Sequence, residues 1–99
     1  MSLYVKTIGA GEPVVMLHGW GMHGGIWEST AVRLAESFEV HVVDLPGHGE
    51  SNSPDSFTLD NVVDQLSARF GRQVTVIGWS LGGIIAQRWA VREPQNIKR

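Results

Sequence analysis

The stretch that decides the fold is GWSLGG, residues 78–83. It follows the apolar run VTVI, residues 74–77, and precedes a segment with an apolar helical face. The pattern G-x-S-x-G between a buried strand and a helix is typical of a sharp turn that lifts a serine oxygen clear of a sheet. Gly78 and Gly82 leave room for such a turn, so the pattern predicts that Ser80 is a nucleophile rather than a structural turn serine.

Two further apolar runs, VVML at 14–17 and VHVV at 40–43, are similarly rich in β-branched residues. Continuous runs of this kind favour strands that are covered on both faces, as in a parallel sheet. A fourth segment, residues 3–8, precedes Gly9 and Gly11 and predicts an additional N-terminal strand and turn.

Three helical patterns alternate with these strands. Their apolar faces comprise Trp27, Ala31, Leu34, Ala35 and Phe38; Leu59, Val62, Val63, Leu66 and Phe70; and Leu81, Ile84, Ile85, Trp89 and Val91. Thr58 is an expected N-cap, Gly71 an expected stop, and Pro94 ends the third helix near Glu93. The strand–helix alternation predicts an α/β fold with right-handed crossovers and a doubly wound, mostly parallel sheet with helices on both faces. Residues 52–56 read as a surface loop.

Composition excludes several classes of function. The 99 residues carry a formal net charge of −2 and are 42% hydrophobic, which is typical of one globular domain with no basic surface for nucleic acid. Because the chain has no cysteine, disulfides and thiolate metal sites are excluded. The N-terminus lacks a secretion signal, and no apolar run is long enough to span a membrane. We therefore expect a cytoplasmic protein with no membrane or nucleic-acid partner.

The three main strands each lead into a glycine-containing loop: HGWG at 18–21, DLPGHGES at 44–51 and GWSLG at 78–82. Ligands bind at the carboxyl ends of strands in open α/β sheets, so these loops are expected to be neighbours. The N–H of Leu81, at the start of a helix, is a candidate oxyanion donor. The first loop is placed to supply a second donor from Trp20, whose indole is also a candidate wall of the acyl pocket.

In this order and spacing, the three motifs resemble the N-terminal part of an α/β-hydrolase. The pair HGWG and GWSLGG is most similar to the pimeloyl-[acyl-carrier protein] methyl ester esterases of biotin synthesis. The resemblance implies that Ser80 is the nucleophile and that Leu81 and Trp20 form the oxyanion hole. It implies no cofactor and no metal.

The same resemblance indicates what the sequence does not contain. In the family, an aspartate and then a histidine follow the serine, whereas His18, His23, His41 and His48 all precede Ser80. We therefore expect residues 1–99 to be the N-terminal part of one domain, with an incomplete sheet and without the lid and the C-terminal part. Such a chain is expected to be inactive alone, with an open sheet edge at residues 74–77 that favours self-association.

Other candidate residues receive less specialised roles. His18 is expected to form hydrogen bonds beneath the oxyanion loop, and His48 to be solvated. For His23, a position at the acyl pocket and a position away from it are left open. Asp44 is expected to fix its loop by hydrogen bonds rather than serve as the triad acid. Trp27 and Trp89 are expected in the core.

Two functional hypotheses follow. In the first, the full-length protein is a serine carboxylesterase that takes a small acyl ester, by resemblance the methyl ester of pimeloyl-acyl carrier protein; aryl esters, lactones and carbon–carbon bonds remain open as substrates. In the second, the chain is a non-catalytic binding or assembly module built on part of a hydrolase sheet.

Overall fold

The computed structural model describes residues 3–48, 51 and 58–99. Four strands alternate with three helices in the described part. The strands are β1 (Tyr4–Ile8), β2 (Glu12–Leu17), β3 (Phe38–Asp44) and β4 (Thr75–Gly78), and the helices are α1 (Glu28–Leu34), α2 (Leu59–Arg69) and α3 (Leu81–Arg92). Short 3-10 helices occupy Gly24–Trp27 and Pro94–Asn96. The loop expected at residues 52–56 lies outside the described residues.

The strands form one mixed sheet in the order β1-β3-β2-β4. β2 pairs in parallel with both β3 and β4, with Val14 opposite Val40 on one side and Thr75 on the other. β1 is antiparallel to β3. The mostly parallel sheet and the additional N-terminal strand are therefore confirmed.

Alternate side chains of the central strands enter two separate cores. Val15 and Leu17 belong to the larger core, beneath α2 and α3. Val14 and Met16 belong to the smaller core, beneath α1. Because both faces of β2 and β3 are covered, apolar side chains are favoured at successive positions. This explains the unbroken apolar runs and confirms the doubly wound arrangement, with helices on both faces.

The predicted end of the first helix was wrong, whereas the predicted boundaries of the second are confirmed. The first pattern continued to Phe38, but α1 ends at Leu34 and Phe38 begins β3. The second helix is capped as predicted, since Thr58 Oγ1 accepts a hydrogen bond from Asn61 N at 3.1 Å. It ends at Arg69 with Phe70 as its C-cap, so Gly71 directly follows the helix, as expected for a stop.

The sheet edge at residues 74–77, which was expected to be open, is partly covered by residues that follow α3. Val74 N donates to Asn96 O at 2.8 Å, Lys98 N donates to Val74 O at 2.7 Å, and Val76 N donates to Arg99 O at 2.8 Å. These bonds place residues 96–99 parallel to β4, on the side opposite β2. Within the described residues, no helix is long and apolar enough to cross a membrane.

Candidate active site

Ser80 lies at a sharp turn between β4 and α3. Its backbone has φ 55° and ψ −114°, and it is the one non-glycine residue with positive φ in the described part of the chain. Such a conformation is costly for a residue with a Cβ and is found mainly where the surrounding structure enforces it, as at active sites. Ser80 is exposed, as expected for a side chain that projects from the carboxyl end of the sheet.

Two glycines make this turn sterically possible. A Cβ on Gly78 would lie 2.4 Å from Gly82 O, and a Cβ on Gly82 would lie 2.3 Å from Leu17 O. Both contacts are with backbone atoms, which cannot rotate away. The two glycines of the G-x-S-x-G pattern therefore allow α3 to begin directly against β4 and the end of β2.

Three of the first four N–H groups of α3 donate to the turn that precedes the helix. Gly83 N and Ile84 N both donate to Ser80 O, at 2.9 and 3.1 Å, and Gly82 N donates to Trp79 O at 3.0 Å. The N–H of Leu81 has no hydrogen-bond partner among the described residues. It immediately follows the serine, so this donor and the helix dipole are both available to an anion beside Ser80.

The loop after β2 packs directly on this turn. A Cβ on Gly19 would lie 3.1 Å from Trp79 Cδ1 and 3.3 Å from Ser80 Cβ, so the loop lies closer to this turn than most side chains would comfortably allow. Trp20, the next residue, is 67% exposed. The structure thus brings the HGWG loop to the serine, as the sequence predicted.

Two histidines connect this loop to the loop after β3. His18 is buried; its Nδ1 donates to Gly19 O at 2.7 Å, and its Nε2 accepts from Leu45 N at 2.9 Å. Burial of the imidazole lowers the pKa of His18 below its ordinary value, so the neutral ring that these two bonds require is favoured. His48 Nε2 accepts from Gly21 N at 3.0 Å.

Asp44 fixes the start of the loop after β3, both to the first 3-10 helix and within the loop itself. Its buried carboxylate accepts a hydrogen bond from Gly24 N at 2.6 Å, and its carbonyl accepts one from Ser51 Oγ. The expected loop-fixing role of Asp44 is therefore confirmed, as is the hydrogen-bonding role of His18.

The expectation that the His48 side chain is solvated was wrong. Its ring is half-buried, lies 5.1 Å from the Trp20 ring in an edge-to-face arrangement, and also lies 5.1 Å from the His18 ring. A histidine in a glycine-rich loop gives no periodic signal of burial, and the partner loop lies 27 residues away along the chain. The available signal was that both loops follow neighbouring parallel strands.

The remaining residues fall into the two cores or onto another surface. Trp89 is fully buried, and Trp27 packs against the smaller core. His23 caps the first 3-10 helix by accepting from Gly25 N at 3.0 Å. It lines a cavity of about 300 Å³ between β1 and α1, and Ser80, Trp20 and Leu81 are not among the residues that line this cavity.

No histidine of the described chain is paired with Ser80. The four imidazoles bond instead to other groups: His18 to Gly19 and Leu45, His23 to Gly25, His41 to Thr7 and Glu39, and His48 to Gly21 and Pro46. The described residues also contain no group of three or more potential metal ligands. The site therefore combines an exposed, strained serine with a nearby helix N-terminus and loop, and has no base from these residues.

Comparison with curated proteins identifies close relatives. The chain is 54% identical over 98 residues to a pimeloyl-[acyl-carrier protein] methyl ester esterase of Chromobacterium violaceum, and 40% identical over 98 residues to one of Nitrosomonas europaea. Each match covers 99% of this chain and 39% of the relative. The chain thus spans about two fifths of the length of these relatives.

Solved structures show the same arrangement of elements. A marine microorganism esterase superposes with a TM-score of 0.95 at 29% identity, over 99% of this chain and 40% of its own. An N-acyl homoserine lactone degrading enzyme superposes with a TM-score of 0.92 at 30% identity, over 96% of this chain and 39% of its own. The model of the alpha/beta hydrolase family matches residues 14–97. With Ser80 at the sharp turn between β4 and α3 and with its mixed, mostly parallel sheet, the chain belongs to the alpha/beta hydrolase family.

Proposed function

We propose that the complete protein is a carboxylic ester hydrolase that uses Ser80 as its nucleophile. The observation that supports this most directly is the strained, exposed Ser80 at the start of α3, with the backbone of Gly19 packed against its Cβ. Esterase names among the relatives and among the similar structures support the same reaction class.

In the proposed first step, Ser80 Oγ attacks the ester carbonyl carbon and the carbonyl oxygen becomes an oxyanion. The N–H of Leu81 is one donor to that oxyanion, and the backbone N–H of Trp20 is the second. Both are main-chain groups on packed elements, so they require little rearrangement as charge develops. The alcohol leaves with a proton, and water then hydrolyses the acyl-enzyme to release the carboxylate and restore Ser80.

The general base of this mechanism must come from outside residues 1–99. A serine hydroxyl is a weak nucleophile unless a base accepts its proton, and the histidines described above are bonded elsewhere. We therefore assign the base and its acidic partner to a part of the complete protein beyond Arg99, and we place the lid over the acyl chain there too.

The proposed substrate is the methyl ester of pimeloyl-acyl carrier protein, with the carrier protein as partner, in the cytoplasm. The choice of substrate rests on the names of the relatives, one of which is 54% identical to this chain. Trp20 and Trp79, which are 67% and 58% exposed, respectively follow Gly19 and precede Ser80 in sequence, and we propose their indoles as the apolar surface for the acyl chain.

The test is steady-state hydrolysis of this methyl ester by the complete protein. Ser80→Ala is expected to reduce kcat by about 10⁴-fold or more, since the nucleophile is lost. Ser29→Ala, at an exposed position on α1, serves as the matched control and is expected to retain wild-type kcat. Equal activity of the wild type and Ser80→Ala would refute the proposed role of Ser80.

A substrate panel separates the alternatives. The same assays with aryl esters and N-acyl homoserine lactones test for a different ester or lactone specificity, which the second structural relative makes worth including. Absence of turnover with every substrate, in a folded complete protein, would favour the non-catalytic module.

A further inference from the structure

The geometry points to His48 as a positioning residue that holds the oxyanion loop in place through Gly21. This inference rests on the proposed function, in which Trp20 supplies an oxyanion donor. His48 does not contact the reacting atoms in this scheme. It acts on the loop that carries Trp20.

The tautomer of His48 is determined by its two partners. Nδ1 lies 3.1 Å from Pro46 O, a carbonyl that can only accept, so Nδ1 carries the proton. Nε2 is then left with a lone pair, and Gly21 N donates to it at 3.0 Å. The Pro46 bond therefore orients the ring and leaves it with the acceptor that Gly21 requires.

The bond acts on the residue adjacent to the proposed donor. Gly21 has φ +77°, and no atom lies within 4 Å of the position that its Cβ would occupy. Steric packing therefore does not fix this residue in its left-handed conformation. The loop has an internal bond from Met22 N to Gly19 O at 3.2 Å, and the bond from Gly21 to His48 connects it to the loop after β3.

Ring contacts reinforce the same connection. The imidazole of His48 meets the indole of Trp20 edge to face at 5.1 Å and the buried ring of His18 at the same distance. His48 thus contacts both the side chain of Trp20 and the backbone that follows it. Loss of this side chain frees the loop to shift, and displacements of about 1 Å at a catalytic group can cost up to about 10²-fold in rate.

The experiment compares His48→Ala, His48→Gln and His23→Ala in the complete protein. Glutamine can place an acceptor oxygen near the position of Nε2, whereas alanine cannot. His23→Ala is the matched control, because it also removes a bond that a glycine N–H donates to an imidazole, outside the HGWG sequence.

For His48→Ala we expect kcat to fall by about tenfold, less than the 10²–10³-fold for loss of a whole oxyanion donor, with KM within about twofold. His48→Gln is expected to recover most of kcat, and His23→Ala to retain it. A wild-type kcat in His48→Ala, or equal losses in His48→Ala and His48→Gln, would overturn the inference.

Amide hydrogen exchange at Gly21 tests the bond without relying on turnover. In His48→Ala, exchange at Gly21 is expected to accelerate about fivefold, the effect of losing one hydrogen bond of ordinary net strength. Unchanged exchange would overturn the inference. If the wild type has no esterase activity, the proposed function fails and the exchange measurement alone decides whether His48 holds the loop.

Discussion

Gly82 and Gly83 are neighbours in the first turn of α3, yet their surroundings differ. A Cβ on Gly82 would lie 2.3 Å from Leu17 O and 2.7 Å from His18 O, both backbone atoms. A Cβ on Gly83 would lie 3.5 Å from Gly78 O, an ordinary van der Waals distance. The first glycine is required by the close approach of α3 to β2, and the second is not.

Alanine substitutions distinguish these two positions. Gly82→Ala is expected to lower the free energy of unfolding by about 3 kcal/mol, since the new methyl group forces backbone apart in a packed region. Gly83→Ala is expected to leave it unchanged or raise it by up to about 1 kcal/mol, because alanine is the better helix former. Urea unfolding of the complete protein measures both, and equal effects would contradict the close packing described for Gly82.

The buried imidazole of His18 links stability to pH. Burial lowers its pKa in the folded state below the ordinary value of 6.5, so the unfolded chain binds the proton more readily. The contribution of His18 to stability is therefore fully present above about pH 6.5 and is lost as the pH falls from there toward the folded-state pKa.

NMR titration of the His18 ring in the folded protein and in urea tests this. The folded midpoint is expected to lie below the midpoint in urea. His18→Gln is expected to weaken the acid dependence of the free energy of unfolding between the two midpoints. A folded midpoint at or above the one in urea would contradict the assigned effect of burial.

At the scale of elements, the outer edge of β4 depends on residues 96–99. Three backbone hydrogen bonds join the two segments, and Ile97 packs against the larger core. Lys98 contributes both a backbone donor to Val74 and a side chain 3.0 Å from Glu12 Oε1. The ion pair between Lys98 and Glu12 is largely exposed, so the backbone bond to Val74 is expected to contribute more to the free energy of unfolding.

Two substitutions at Lys98 separate these contributions. Lys98→Pro removes the N–H that bonds to Val74 O and is expected to lower the free energy of unfolding by about 2 kcal/mol. It is also expected to promote self-association, because it uncovers strand edge. Lys98→Ala keeps the backbone bond and is expected to have little effect. Urea unfolding measures the stability of both variants, and sedimentation measures their self-association. If Lys98→Pro and Lys98→Ala behaved alike in both measurements, residues 96–99 would not pair with the edge of β4 as described.

The elements that the sequence predicted well are those with a strong local pattern. The apolar runs at 14–17 and 40–43 indicate strands buried on both faces, as β2 and β3 are. The glycines on either side of Ser80 indicate that backbone segments approach too closely there for a Cβ. Phe38 was misassigned because its spacing from Leu34 continues the helical face, although α1 ends at Leu34 and the residue enters β3. The role of His48 depends on a distant partner, which leaves no periodic trace in one sequence.

At the scale of the whole molecule, the fold gathers three loops at one end of the sheet. The loops after β2, β3 and β4 hold Trp20, His48 and Ser80 respectively. Hydrogen bonds join the first two loops, and Gly19 packs closely on the turn that holds Ser80. Under the proposed mechanism, this part of the molecule supplies the nucleophile and the oxyanion donors. The same proposal assigns the proton-transfer groups to the remainder of the protein.

This division predicts different activities for two lengths of chain. Residues 1–99 alone are expected to hydrolyse a short p-nitrophenyl ester no faster than their Ser80→Ala variant, because no imidazole is available to Ser80. The complete protein is expected to hydrolyse it with Ser80-dependent turnover. Ser80-dependent turnover by residues 1–99 would show that the base lies within them, against the proposed division.

The central claim is that Ser80 is an activated nucleophile, and covalent labelling tests it most directly. The complete protein is treated with a fluorophosphonate probe, digested, and the modified residue is identified by mass spectrometry. We predict stoichiometric labelling of Ser80, with no labelling of Ser80→Ala and wild-type labelling of Ser29→Ala. An unlabelled Ser80 in a folded complete protein, or a label on another serine that persists in Ser80→Ala, would contradict the account.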